Sequence, residues 1–173
     1  MNASRILQIA LTPLLLLTGA MSTQQAAPKQ ATALAHAIIT QPADERAEQN
    51  TLPKASDPLW LKLVKSKVSY NEKSGLYSIA VTPEVKALDG QNVTVSGFVL
   101  PMDGSDHTKH FLVTRNTPVC LFCPPGEPNE VIEVVSPRAI VWTDKLVSVT
   151  GQMKLINNGE NALFFKIAAN EVK

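Results

Sequence analysis

Two segments, NVTVSGFVL (Asn92–Leu100) and LVSVTGQMKL (Leu146–Leu155), share a V-x-V-[ST]-G pattern and decide the fold. Val93, Val95, Gly97 and Val99 fall on one face of the first, and Val147, Val149, Gly151, Met153 and Leu155 on one face of the second. An apolar period of two marks a strand with one buried face. Each pattern carries its glycine on that face, where removing a side chain lets the strand bend. That suits a sheet coiling into a small barrel.

Outward from these segments, further strands are expected at His110–Thr114, Val131–Val135, Ala139–Trp142 and Leu163–Ala168. Asn157-Asn158-Gly159 is a strong hairpin signal before the last of them, and Ser74-Gly75 and Asp89-Gly90 punctuate the earlier stretch. Five or more short strands without a long helical period predict a mainly β fold. The expected architecture is a small closed or partly closed barrel of the oligonucleotide/oligosaccharide-binding type, with a β-sandwich as runner-up because one sequence does not reveal edge pairing.

All the aromatic residues lie at or beyond Trp60, so the core is expected to come from the C-terminal two thirds and to use all of them. Asp57-Pro58 reads as a helix N-cap followed by a first-turn proline, with Leu59, Trp60, Leu63 and Val64 as an apolar stripe. Leu59, Leu61 and Leu63 also alternate as a strand would.

The chain divides into three parts. Residues 1–20 are expected to be a cleavable signal peptide: Arg5 gives a positive start, Ile6 to Leu17 an apolar run, and Thr18-Gly19-Ala20 a cleavage site of small residues. The run is shorter than the ~20 residues of a spanning helix and contains Gln8 and Pro13. Residues 21–56 are expected to be a flexible linker, being rich in Ala, Gln, Thr and Pro and lacking glycine and aromatics. Within it Ala31 to Thr40 has helix-forming composition, and His36 there reads as a solvated side chain. Residues 57–173 are the expected β-barrel domain, working in the periplasm or secreted, with no membrane span after signal cleavage.

The chain carries 16 basic and 15 acidic residues, and loss of residues 1–20 removes only Arg5, leaving 15 against 15. A neutral mature protein has no electrostatic case for nucleic acid or an anionic membrane. No G-x-S-x-G elbow, phosphate loop or H-E-x-x-H motif is present, so hydrolase and nucleotide-binding readings lack their parts. Asn92-Val93-Thr94 matches a glycosylation sequon inside an expected strand.

Potentially reactive groups concentrate between Met102 and Glu130. Cys120-Leu121-Phe122-Cys123 is a C-x-x-C pair, and His107-Thr108-Lys109-His110 is an H-x-x-H pair upstream of it. These four side chains are types that a tetrahedral Zn²⁺ accepts, so Cys120, Cys123, His110 and His107 are the candidate metal ligands, with His110 the better histidine. Met102 would add a soft donor for Cu(I). A local disulfide competes with this reading, since export leads to an oxidising compartment and these are the only two cysteines. Thiol redox catalysis is the third alternative; Pro124-Pro125-Gly126 directly after the pair argues for a loop and not the helix start that lowers a thiol pKa. Glu127, Glu130 and Glu133 have the spacing of a solvated acidic face, or of groups that orient a histidine or bind a cation.

Gly97-Phe98-Val99-Leu100-Pro101, His110-Phe111-Leu112 and Cys120-Leu121-Phe122-Cys123-Pro124-Pro125-Gly126-Glu127-Pro128 resemble segments of an uncharacterised family of bacterial exported proteins, a domain of unknown function. The resemblance covers about residues 58–173 and reaches His110, Cys120 and Cys123. It implies a small periplasmic barrel, some relatives of which are encoded beside zinc-responsive ABC-type exporter genes.

These readings converge on a non-enzymatic periplasmic accessory or binding protein in metal (zinc) homeostasis or attached to an ABC-type export system, with Zn as the candidate cofactor and an export-system or other periplasmic protein as candidate partner. Two rivals stand beside it: a periplasmic thiol oxidoreductase using the C-x-x-C pair, and a structural interaction module with a local disulfide.

Overall fold

Gly97 sits where one strand changes partners. In the computed structural model, which describes residues 43–119 and 126–173, Asn92–Gly97 pair with one neighbouring strand and Phe98–Pro101 with another. Changing neighbours in mid-strand turns a flat sheet into a closed one. The elements in chain order are α1 (Ala43–Thr51), α2 (Pro58–Leu63), β1 (Lys67–Asn71), β2 (Leu76–Ala80), α3 (Pro83–Lys86), β3 (Asn92–Pro101), β4 (His107–Thr114), a 3₁₀ turn (Pro128–Glu130), β5 (Val131–Val141), β6 (Val147–Asn158) and β7 (Leu163–Val172).

Strands β3-β4-β5-β7-β6 form a ring that closes by the β3–β6 pairing, while β1 and β2 make a separate hairpin. Within the ring only β5–β7 is parallel. Counted as barrel strands alone, the order is one-two-three-five-four and back to one. This is the mainly β, oligonucleotide/oligosaccharide-binding-like barrel that the repeated V-x-V-[ST]-G pattern anticipates.

The inner wall is the expected apolar face. Val95, Val99, Phe111, Val113, Ile132, Val134, Val149, Met153, Phe165 and Ile167 are all essentially inaccessible to solvent. Both pattern glycines mark close approaches: a Cβ on Gly97 would lie 2.5 Å from Val113 Cγ1, and one on Gly151 only 2.2 Å from the Ala168 carbonyl oxygen. Gly151 also stands at a register shift between β6 and β7. A side chain at either place would hold the strands apart where they must cross closely.

Helix α2 closes one side of the core. Asp57 caps it as expected, accepting from the Leu59 N–H at 2.9 Å, and its second oxygen accepts from the Ser96 N–H at 3.3 Å, tying the cap to β3. Leu59, Trp60 and Leu63 are buried while Leu61 is exposed, which settles the ambiguity in favour of the helix. Trp60 is wholly buried, and its indole Nε1–H donates to the Ser96 carbonyl at 2.8 Å.

Several expectations change. The two strands expected at Val131–Val135 and Ala139–Trp142 are one strand running through Pro137. Pro137, which has no N–H to give, falls in the irregular stretch between the pairs His110↔Val135 and Thr108↔Ile140. The β1–β2 hairpin was not anticipated; it docks through the Tyr77 N–H, which donates to the Gly159 carbonyl in the β6–β7 turn at 2.9 Å. Trp142 is 44% exposed and does not join the core.

Residues 43–56, expected as the end of a flexible linker, fold against the barrel. The Gln49 side chain donates to the Thr117 carbonyl, the Ala55 N–H to the Arg115 carbonyl and the Thr117 hydroxyl to the Pro53 carbonyl, and both Gln49 and Ala55 are buried. Polar bonds hold this stretch with few large apolar side chains, so its composition gave no sign of docking. The expected signal peptide, the rest of the expected linker with His36, and the Cys120/Cys123 pair lie outside the described residues. Among the described residues no helix is long and apolar enough to cross a membrane.

Candidate functional site

The chain leaves β4 at Thr114, passes through Arg115 to Val119 into the cysteine segment, and returns at Gly126 to the 3₁₀ turn and β5. A half-buried polar network holds the two flanks together. Glu130 lies at its centre: its carboxylate accepts from Arg115 Nη1 at 2.8 Å, from Asn116 Nδ2 at 2.8 Å and from the Glu127 backbone N–H at 3.2 Å. The Arg115 N–H also donates to the Glu130 carbonyl at 3.0 Å. Arg46 of α1 pairs with Glu127 at 3.1 Å, adding the N-terminal helix to the same network. The side chain of Glu130 is only 13% exposed.

Gly126 fits this clamp closely. Its φ of +144° is a conformation that side-chain-bearing residues rarely adopt, and a Cβ there would lie 2.5 Å from Asn116 Nδ2. On the other flank, Thr117, Pro118 and Val119 line an apolar cavity of about 270 Å³ with Phe98 and Leu100 of β3 and with Trp142. Phe98 and Leu100 alternate with the core valines of β3, so they face away from the barrel interior yet are buried beneath this segment.

A second charged group lies on the outer wall of β4, β5 and β7. Glu133 Oε1 accepts from His110 Nε2–H at 2.7 Å and from Lys166 Nζ at 3.0 Å. Register places them side by side, since Glu133 is the direct partner of Lys166 and His110 the partner of Val135, two residues further along β5. Burial by itself would push the Glu133 carboxyl up; the hydrogen bonds and charges of Lys166 and His110 outweigh it and hold the carboxyl below its ordinary value.

Of the candidate ligands, the two histidines are among the described residues. His107 opens β4 and pairs with Val141, whereas the flanks of the cysteine segment meet beyond the other end of that eight-residue strand. The strand rise between its ends is ~23 Å. His110 lies between, with its ring bound to Glu133. Met102 is 45% exposed in the β3–β4 turn, and its N–H donates to the His110 carbonyl at 3.2 Å. Among the described residues no three His, Cys, Asp or Glu side chains come together as a metal cage.

A family model described as a protein of unknown function (DUF3299) matches residues 23–169. The chain belongs to the DUF3299 family. Among solved structures it is similar to a crystal structure of a DUF3299 family protein from Pseudomonas aeruginosa PAO1, with 23% identity, a TM-score of 0.45, and coverage of 56% of this chain and 66% of that one. No curated protein matches this DUF3299 chain in sequence.

Of the three acids Glu127, Glu130 and Glu133 in this DUF3299 domain, the last two are mostly buried, with side chains 13% and 10% exposed, while Glu127 is 42% exposed. Glu127, Glu130 and Glu133 each hold a cation, and Glu133 orients a histidine, the other role their spacing allowed. Sequence reading missed Arg115, Asn116 and Lys166. A signal for the first two was present: Glu127-Pro128-Asn129-Glu130 has the acid-x-x-acid spacing of a capped turn, whose second acid reaches back to the first residue's N–H. Lys166 carried no local signal, because its partner lies across a parallel strand pair.

Proposed function

We propose that this DUF3299 domain is a non-enzymatic accessory or binding protein working outside the cytoplasm, in which Cys120 and Cys123 contact zinc or another soft metal on behalf of an export system. The observation that carries the reading is the clamp on Glu130, which ties Arg115 and Asn116 on one flank to Glu127 on the other. A C-x-x-C segment with both ends fixed loses less freedom when its thiolates close on a metal, so more of the binding energy appears as affinity. The signal-like residues 1–20 and the resemblance to relatives encoded beside zinc-responsive exporter genes support the compartment and the metal. Soft thiolate pairs suit Zn²⁺ and Cu⁺ and disfavour Mg²⁺ or Ca²⁺.

Equilibrium dialysis of the reduced full chain against Zn²⁺ and Cu⁺ tests this reading. Bound metal is expected to fall by one equivalent in the Cys120→Ser/Cys123→Ser variant. A stoichiometry unchanged by that double substitution overturns the metal function.

A further inference from the structure

Residues three apart in a regular strand face opposite sides of the sheet, so H-x-x-H in β4 would place one imidazole inside the barrel and one outside. The structure departs from that rule at this place. Thr108 is wholly buried and Phe111 is wholly buried, yet His107, Lys109 and His110 are all exposed. The register between β4 and β5 breaks between Thr108 and His110, and the break returns His107 to the side that His110 occupies. Their cross-strand partners agree: Val141 opposite His107 is 62% exposed and Val135 opposite His110 is 41% exposed.

The bulge is braced on both strands. The Thr108 hydroxyl accepts from the His110 N–H at 3.0 Å and lies 2.8 Å from the His110 carbonyl, to which it donates. Across the pair, Ser136 Oγ donates to the Arg138 carbonyl at 2.7 Å and accepts from the Arg138 N–H at 3.4 Å. Bulges commonly re-aim a side chain, and here the effect is to give H-x-x-H the facing that H-x-H has in a regular strand.

We infer that His107 and His110 form a two-imidazole site on the outer wall of the barrel for a divalent transition ion of zinc type, with Glu133 as its positioning residue. Glu133 Oε1 lies 2.7 Å from His110 Nε2, and because a carboxylate oxygen accepts, Nε2 carries the hydrogen of this contact and Nδ1 is the atom left to bind a metal. Lys166 bonds the same carboxylate oxygen and holds the carboxylate in place. A carboxylate that takes the far N–H of a ligating histidine is a recurrent support of metal sites, fixing tautomer and ring direction. Two imidazoles fill two of four positions, and water or a partner's side chain completes the set. This inference rests on the metal-binding reading above for its class of ligand, but it places the site away from the cysteine segment.

The test uses the full chain carrying Cys120→Ser/Cys123→Ser, titrated with zinc chloride at pH 7.5 while long-range ¹H–¹⁵N spectra follow the histidine ring nitrogens. Zinc is expected to move His107 and His110 along one curve that saturates at about one equivalent, leaving the signals of His36, the third histidine, in place. His107→Asn should weaken that curve at least tenfold while the amide spectrum stays folded. Glu133→Gln should weaken it ~10–100-fold and redistribute the His110 tautomer. Rings that move along separate curves, or that do not move at 1 mM zinc, overturn the inference. If the wild-type chain binds zinc and the cysteine double variant binds none, the outer-wall site is refuted and the proposed function stands. If both chains bind the same single equivalent through the histidines, the proposed function fails and the site stands.

Discussion

Gly151→Ala should destabilise the domain although it adds one methyl group to a strand that is otherwise rich in side chains. The new Cβ would lie 2.2 Å from the Ala168 carbonyl oxygen, 2.7 Å from Ala169 Cα and 2.8 Å from Ile167 Cγ2. Two of these atoms belong to backbone, so no rotamer change relieves the contact; β6 and β7 must separate at their register shift. Overpacking of this kind costs about 3 kcal/mol at the upper end of its usual range. Alanine recovers up to about 1 kcal/mol by restricting the unfolded chain. The net loss is about 2 kcal/mol, which for a domain of this size lowers the thermal midpoint by roughly 6–10 °C. Differential scanning calorimetry beside Ser148→Ala, a substitution on the same strand expected to fall within ~0.5 kcal/mol of wild type, supplies the measurement and its control. A Gly151→Ala midpoint within 2 °C of wild type would refute the reasoning, because it would mean that β6 and β7 do not cross closely and that the ring is not closed as described.

Trp60→Phe removes the donor that satisfies the Ser96 carbonyl and leaves a gap in the core; a loss of about 1–3 kcal/mol by urea denaturation is expected. Glu130→Gln leaves Arg115 facing a neutral amide in a mostly buried clamp, so a loss of about 2 kcal/mol and faster proteolytic cleavage between residues 117 and 127 are expected, the second readout reporting the flanks directly. The Tyr77 hydroxyl is raised above its ordinary value, first by burial and then by the charges of Tyr70 and Glu127. Because the folded pKa is the higher one, its contribution to stability is full below about pH 10 and is lost as pH rises through the folded value; alkaline denaturation profiles should therefore be flatter for Tyr77→Phe than for wild type.

What was legible in the sequence was what a single chain segment encodes by itself. The inward faces of β3 and β6 follow from their period of two, and the two glycines at strand crossings follow from the shared pattern, because a buried position without a side chain has few other uses. Asp57-Pro58 announced α2, since cap and first-turn proline act within one turn. The β1–β2 hairpin was missed for the opposite reason. Val68, Tyr70 and Ile79 are only partly buried, and the pairing is set by Tyr70 and Tyr77, whose rings meet at 4.5 Å across the turn. Residues 43–56 were missed because polar bonds to Arg115 and Thr117 hold them, and composition registers apolar burial alone. In the candidate site the histidine spacing was visible but its facing was not: only the pairing with β5 reveals the bulge that puts His107 and His110 on one side.

Closure of the ring also governs how a partner can be met. A strand at a sheet edge offers unpaired N–H and C=O groups to any extended segment, and that is the cheapest form of recognition in an open β fold. Here β3 pairs with β6 over Asn92–Gly97 and with β4 over Phe98–Pro101, and β5 pairs with β7 over Glu133–Val135, so closure covers the edges at those residues and leaves unpaired edge along the rest of these strands and on the β1–β2 hairpin. Side chains on the outer wall and the segments between the strands are the other places where the barrel can be met. The outer wall carries His107, His110, Glu133 and Lys166, and the β4–β5 connection carries the cysteines between clamped flanks. Because these two places are joined by a single strand whose inner face is locked into the core through Phe111 and Val113, a ligand at one does not need to move the other. Independent occupancy is therefore the expected behaviour: saturating the histidine pair should leave the affinity of the cysteine pair unchanged, since coupling requires an element with two arrangements and a packed central strand offers only one.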